Sequence, residues 1–177
     1  MADFLNYIQQ GHVVTLTMNQ PERRNPLTGN SAVPEFLAAI DRIRDDHTVR
    51  AVILTGADPV FSSGGDIKAM QKQAGGEVGG MQIREDYRGG IQRLPVALFN
   101  LEVPVIAAVN GAAIGAGLDL ACMCDLRIAS DKAKFAESFV KLGIIPGDGG
   151  AWLLPRVIGL SRAAELSFTA QTIDAQT

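Results

Sequence analysis

The segment Gly111-Ala-Ala-Ile-Gly-Ala-Gly-Leu-Asp-Leu120 follows the apolar run Val103-Pro-Val-Ile-Ala-Ala-Val109, and this order sets what the chain can become. A β-branched, uninterrupted run suits a strand buried on both faces. Three glycines then let the backbone turn sharply and lie close to a neighbour. Leu118 to Cys124 reads as the first turns of a buried helix. Such a strand, turn and helix present free N–H groups at the positive end of a helix dipole. An anion, or an oxygen that becomes one during a reaction, suits that place, and Asp119 follows in the first turn. Close packing explains such glycines as well. A dinucleotide fingerprint fits poorly, because Leu120 stands where its third glycine belongs.

A second turn of the same kind, Val60-Phe-Ser-Ser-Gly-Gly-Asp-Ile-Lys68, follows the buried strand Ala51-Val-Ile-Leu-Thr55. Two such turns can face each other across one pocket. Phe61–Lys68 and Val105–Leu120 resemble the two signature segments of the crotonase (enoyl-CoA hydratase/isomerase) family. Cys124–Ala129 and Gly143–Gly147 extend the likeness over nearly the whole chain.

Glycine, at 19 residues of 177, is the compositional outlier, and it clusters at turns. The length suits one domain spanning 1–177. A net charge of -3 offers no basic footprint for nucleic acid. No apolar run is long enough to cross a bilayer. The N-terminus lacks the pattern of a signal peptide, so the chain reads as cytoplasmic. Cys122 and Cys124 have no second pair to make a zinc site and read as buried, reduced thiols. No metal is expected.

In chain order, Phe4–Ile8 and Val13–Met18 alternate as strands of a hairpin turning at Gln10-Gly11. The basic loop Gln20–Leu27 follows, then a helix over Ser31–Arg44 with Val33, Phe36, Leu37, Ile40 and Ile43 on one face. A strand spans Val49–Leu54, and Asp66 opens another helix. Residues 74–80 read as a mobile Gly-rich surface stretch. Met81–Asn100 is spaced as a helix, with Pro95 kinking or breaking it. Short strands over Asp125–Ala129 and Ala133–Phe135 precede helices at Ala151–Val157 and Arg162–Phe168, the latter capped by Ser161. Ile173–Thr177 resembles a helix N-cap. The alternation argues α/β with mostly parallel connections.

The resemblance implies a ββα spiral, here without the family's C-terminal helical part, and a homotrimer or hexamer. It implies an acyl-CoA thioester substrate, with coenzyme A as part of the substrate and no separate cofactor. The family's backbone N–H donors, which hold the thioester oxygen as it gains charge, fall at Gly65 and Ala116. Arg23 and Arg24 become candidates for coenzyme A phosphates and the backbone at Pro26 for the adenine. Ser63, Gly64, Asp66, Ile67, Ile114, Gly115 and Phe139 become candidates for the substrate-binding surface. Asp66 equally suits a helix cap.

Two glutamates typical of the hydratases fall at Asp119 and Phe139 in this chain. The first position keeps a shorter acid and the second has none. Asp119 resembles the dienoyl-CoA isomerase branch, which shuttles protons. Asp148 is the candidate catalytic partner, one position past where several family members place an acid, and it could instead cap the helix that follows. Glu137 is a weaker candidate for the same role and reads more readily as a surface residue. Apolar neighbours Phe139, Leu118 and Ile114 would raise the pKa of Asp119 by desolvation. The acid loss at Phe139 leaves open a CoA-ester-binding protein with little catalysis. A peptidase reading fails on His12 and His47, since neither adjoins a Gly-rich turn.

Overall fold

The computed structural model describes residues 3–72, 75–76 and 78–177. Part of the predicted Gly-rich surface stretch, Ala74 and Glu77, lies outside the described residues.

Strands β1 (Leu5–Gln10) and β2 (Val13–Met18) form the expected hairpin, in register from Leu5 opposite Met18 to Gln10 opposite Val13. The chain crosses through helix α1 (Ala32–Asp45) to β3 (Ala51–Gly56), which lies parallel to β2. Strand β4 (Val60–Ser62) starts a second sheet and leads into helix α2 (Ile67–Lys72). Helices α3 (Gly80–Gly89) and α4 (Arg93–Phe99) follow. Strand β5 (Val105–Val109) returns to the first sheet and β6 (Ala112–Ile114) to the second. Helix α5 (Ala116–Met123), β7 (Leu126–Ala129) and β8 (Lys134–Ala136) continue this alternation between sheets. A 3₁₀ turn (Phe139–Leu142), helices α6 (Gly150–Ile158) and α7 (Leu160–Thr169), and strand β9 (Ile173–Asp174) complete the chain.

The first sheet runs β1-β2-β3-β5-β7 and the second β4-β6-β8-β9. Only the outermost pairs, β1/β2 and β8/β9, are antiparallel. After the hairpin, each of β3, β5 and β7 in the first sheet is followed by a short strand in the second, which is the expected repeating ββα pattern. The strongly apolar inner strands fit burial between layers: Val52, Leu54, Val105, Ala107 and Val109 are all buried. Phe4 and Phe36 pack tilted, with centroids 6.2 Å apart, and lock α1 onto the first sheet. The Glu35 carboxylate adds a clamp by accepting the Leu5 N–H at 2.8 Å. Among the described residues no helix is long and apolar enough to cross a membrane.

Three local expectations change. The helical stretch over 81–100 is two helices, and the break falls at Gly90–Gln92 instead of Pro95. Pro95 sits in the first turn of α4, where a missing N–H matters least, while Gly89 and Gly90 bring no side chain to hold a continuous helix. Ser161 does not cap α7, because the helix already starts at Leu160 after Gly159 at φ 82°. Ile173–Asp174 pairs with β8 as a strand. The Asp174 carboxylate still accepts the N–H groups of Gln176 and Thr177, the local bonding that made this segment resemble an N-cap.

Candidate active site

The two Gly-rich turns meet. Gly64, at φ +83°, lies so close to the turn between β6 and α5 that a Cβ there would collide with the Ile114 carbonyl and press on the Ala116 nitrogen. Only glycine meets both demands, a left-handed backbone and direct backbone contact. The loop 20–27 fixes this turn from behind. Asn25 is fully buried, donates to the carbonyls of Ala57, Val60 and Phe61, and accepts the Gln20 N–H. Ser62 donates to the Asn25 carbonyl and accepts the Gly64 N–H. Leu27 donates to the Gly64 carbonyl, and Ser63 to that of Arg24. Pro26 bridges to Gly64. Asn25 carried no functional signal in the sequence, yet it holds the turn in place.

Asp66 acts as a cap: one carboxylate oxygen accepts the N–H groups of Lys68 and Ala69. The other meets the Arg23 guanidinium at 2.6 Å. Burial pushes this carboxyl up, but the Ala69 and Lys68 N–H groups and Arg23 outweigh it and hold the pKa below the usual carboxylate value. Arg23 and Arg24 both lie exposed on the loop, Arg24 in a left-handed conformation at φ 64°.

The joined turns open on a small cavity of about 40 Å³ whose walls include Gly65, Ala116, Phe139, Tyr87 and Asp148. Larger grooves adjoin it: one of about 480 Å³ shares Thr28, Met70, Tyr87 and Ile91, and one of about 370 Å³ shares Met70, Tyr87 and Ile144. Ile67 lines the second groove, not the cavity, and is half exposed. Among the described residues the Gly65 and Ala116 N–H groups have no protein acceptor. Ala116 is the first residue of α5, where no intrahelical partner exists for that N–H. Gly115, at φ 53°, and Ile114 supply the backbone that brings Ala116 to this wall.

Behind the cavity three carboxyls come together. Asp119 is wholly buried in α5, and its side chain occupies the space a Cβ on Gly150 would need. It lies within hydrogen-bonding reach of both Asp148 and Glu137. Asp148 is buried and faces the cavity; it makes no cap for α6, whose N-cap residue is Gly149 at φ 111°. Glu137 is 1% exposed, so its expected surface position is wrong. The turn after β8 folds it inward against α5. Among the described residues, both oxygens of Asp119, both of Glu137 and Oδ1 of Asp148 are buried without a protein donor. Burial, then hydrogen bonding and charge from Asp148 and Glu137, push Asp119 well above the usual carboxylate range. Burial and the Asp148 charge push Glu137 up to about 7. Burial raises Asp148 as well.

Phe139 is buried on the cavity wall, so no acid stands there. Cys122 and Cys124 are free and buried, and burial pushes both thiols up to about 12, which keeps them protonated and unreactive at neutral pH. His12 is tied to the Thr48 carbonyl at the far end of the first sheet, 2.7 Å away, away from both turns.

The sequence pattern of the family described as Enoyl-CoA hydratase/isomerase matches residues 8–177. A short-chain-enoyl-CoA hydratase of Clostridium acetobutylicum is 42% identical over 170 residues, covering 94% of this chain and 62% of its own length. The 1,2-epoxyphenylacetyl-CoA isomerase of Escherichia coli is 39% identical, covering 99% of this chain and 66% of its own length. The crystal structure of enoyl-CoA hydratase from Bacillus anthracis superimposes with a TM-score of 0.88 at 35% identity, over 98% of this chain and 66% of that one. The chain spans between 46% and 66% of the length of the relatives it matches. Matching sequence pattern, identity and fold together place the chain in the enoyl-CoA hydratase/isomerase (crotonase) family.

Proposed function

We propose that the protein transforms acyl-CoA thioesters by moving a proton next to the thioester carbonyl. The observation that carries this reading is one cavity lined by Gly65, Ala116 and Asp148, the first two with backbone N–H groups that have no acceptor among the described residues. Taking a proton from the carbon beside a thioester moves the electron pair onto the carbonyl oxygen. Preorganised N–H donors stabilise that charge, and loss of one such donor typically slows a reaction ~10²–10³-fold. Asp148 takes the proton and returns it to a carbon further along the acyl chain. Burial raises its pKa, the direction that suits a group which both accepts and donates a proton. Asp119 lies behind Asp148 and acts through it. Arg23 and Arg24, exposed beside the joined turns, are placed for the phosphates of coenzyme A, with Pro26 and Ser63 along the same loop contact.

A single acid on the cavity wall favours a proton shift over hydration. Water addition by a pair of carboxylates needs a second one facing the substrate, and Phe139 stands on that wall instead. The trimer or hexamer implied by the resemblance belongs to the same proposal. Exposed apolar side chains such as Leu126, Ile128 and Phe168 support it, and sedimentation equilibrium checks it.

Crotonyl-CoA hydration and isomerisation of 3-enoyl-CoA and dienoyl-CoA substrates test the reading. Isomerisation is expected, and Asp148→Asn lowers it ~10²–10⁴-fold while acyl-CoA still binds. Hydration without isomerisation would reverse the preference. Acyl-CoA binding with no turnover would make this a binding protein.

A further inference from the structure

Glu137 has no part in the chemistry above, yet it is buried, its carboxyl has no protein donor among the described residues, and it lies within hydrogen-bonding reach of Asp119. We infer that Glu137 is a positioning residue: directly and through Asp119 it sets the protonation state and orientation of Asp148, the carboxyl that faces the substrate. This inference rests on the proton-transfer reading of the site.

The three carboxyls form a cluster. Asp119 lies within hydrogen-bonding reach of both Glu137 and Asp148, and the Asp148 charge also acts on Glu137 directly. Two carboxyls can hydrogen-bond only with a proton between them, since an ionised carboxylate is acceptor-only. Two such contacts hold two protons among three groups and leave one negative charge. The charge settles at the end open to the cavity, because burial penalises it least there. That end is Asp148, which lines the cavity while Asp119 is fully enclosed. Glu137 and Asp119 then carry the protons, and Asp148 is the free base. When Asp148 accepts the substrate proton its charge leaves the cluster as the enolate forms at Gly65 and Ala116. When it returns that proton the single charge comes back. The transfer balances with no further reactant.

Other groups leave this account in place. Among the described residues, Cys122 from α5 faces Asp119 and Glu137, and Tyr87 from α3 faces Asp148; burial raises both. The Arg127 guanidinium donates to the carbonyls of Ala121, Cys124 and Asp125 and acts on the two cysteines, not on the three acids.

The test is a carboxyl titration by ¹³C NMR on the full chain labelled at Asp and Glu, together with the pH profile of kcat/KM for a 3-enoyl-CoA. In the E137Q variant the Asp148 midpoint is expected to move by about one pH unit or more, as for coupled groups. The activity profile moves with it, and KM stays within about twofold. The D119N variant removes the relay and leaves only the direct charge interaction, so in that background E137Q moves the Asp148 midpoint less than in the parent. An Asp148 midpoint unmoved by E137Q, or coupling of undiminished size in D119N, overturns the inference. If E137Q does not fold, D119N decides alone: weaker coupling between the Glu137 and Asp148 titrations than in the parent supports the inference, and undiminished coupling overturns it. A parent protein with no turnover sinks the proposed function, while the titration still decides this one.

Discussion

At the scale of single residues the site depends on where three carboxyls can go, and one glycine decides that for Asp119. A Cβ at Gly150 would occupy the volume now held by the Asp119 carboxyl. Gly150→Ala is therefore expected to displace Asp119, break its contacts with Asp148 and Glu137, and lower turnover ~10²-fold, the effect of misplacing a reacting group by about 1 Å. Unchanged kinetics in that variant would mean the cluster tolerates a shift. Asp119 and Asp148 were legible in the sequence because they sit beside glycines at turns, where a charged side chain has room to face inward. Glu137 was not. A lone charge after a short strand reads as solvent-facing, and only the packing of that turn against α5 turns it inward. Asn25 was hidden for a related reason: its donors serve three carbonyls from a segment more than thirty residues further along the chain, and no local pattern shows that.

Elements were legible where hydrophobic period and length agree. The hairpin β1/β2, the helix α1 and the inner strands β3 and β5 all stand within two residues of their expected bounds. Breaks were harder, since glycines at 89–90 and 159 compete with proline and serine signals, and which wins depends on what packs alongside. The short strand β9 exists because β8 offers it an open edge, a tertiary fact. The same reasoning makes the β4–α2 turn fragile. Gly64→Ala forces an L side chain into φ +83° and into the Ile114 carbonyl. A loss of at least about 2 kcal/mol is expected from strain and clash together, with activity falling as the Gly65 N–H moves. Urea denaturation beside an isomerase assay measures both, and a variant with parental stability would show that the turn can relax.

Across the whole molecule, the carboxyls give opposite signs to the dependence of stability on pH. Asp46, Asp66 and Asp174 have folded pKa values held below their ordinary ones. The unfolded chain binds more protons at these groups, so they add stability above about pH 4 and lose it as pH falls further. For Asp46 and Asp174 the cause is hydrogen bonding from Thr48 and Thr177, at exposed positions where water screens the gain. Asp119, Glu137 and Asp148 have raised folded values, so here the folded chain binds more protons. Their contribution is fully present below about pH 4, and for Glu137 it is lost as pH rises through about 7. Maximum stability should therefore lie on the acid side of neutrality, with the melting temperature declining from about pH 5 to pH 8. E137Q removes one group that must ionise while buried. Its melting temperature should match the parent at pH 4 and exceed it at pH 8 by roughly 5 °C. A parallel pair of curves, with the variant displaced equally at both ends, would assign Glu137 an ordinary packing role. The loss of stability on the alkaline side is then the counterpart of the chemistry, because the burial that raises the pKa values of these carboxyls also makes their ionisation costly to the fold.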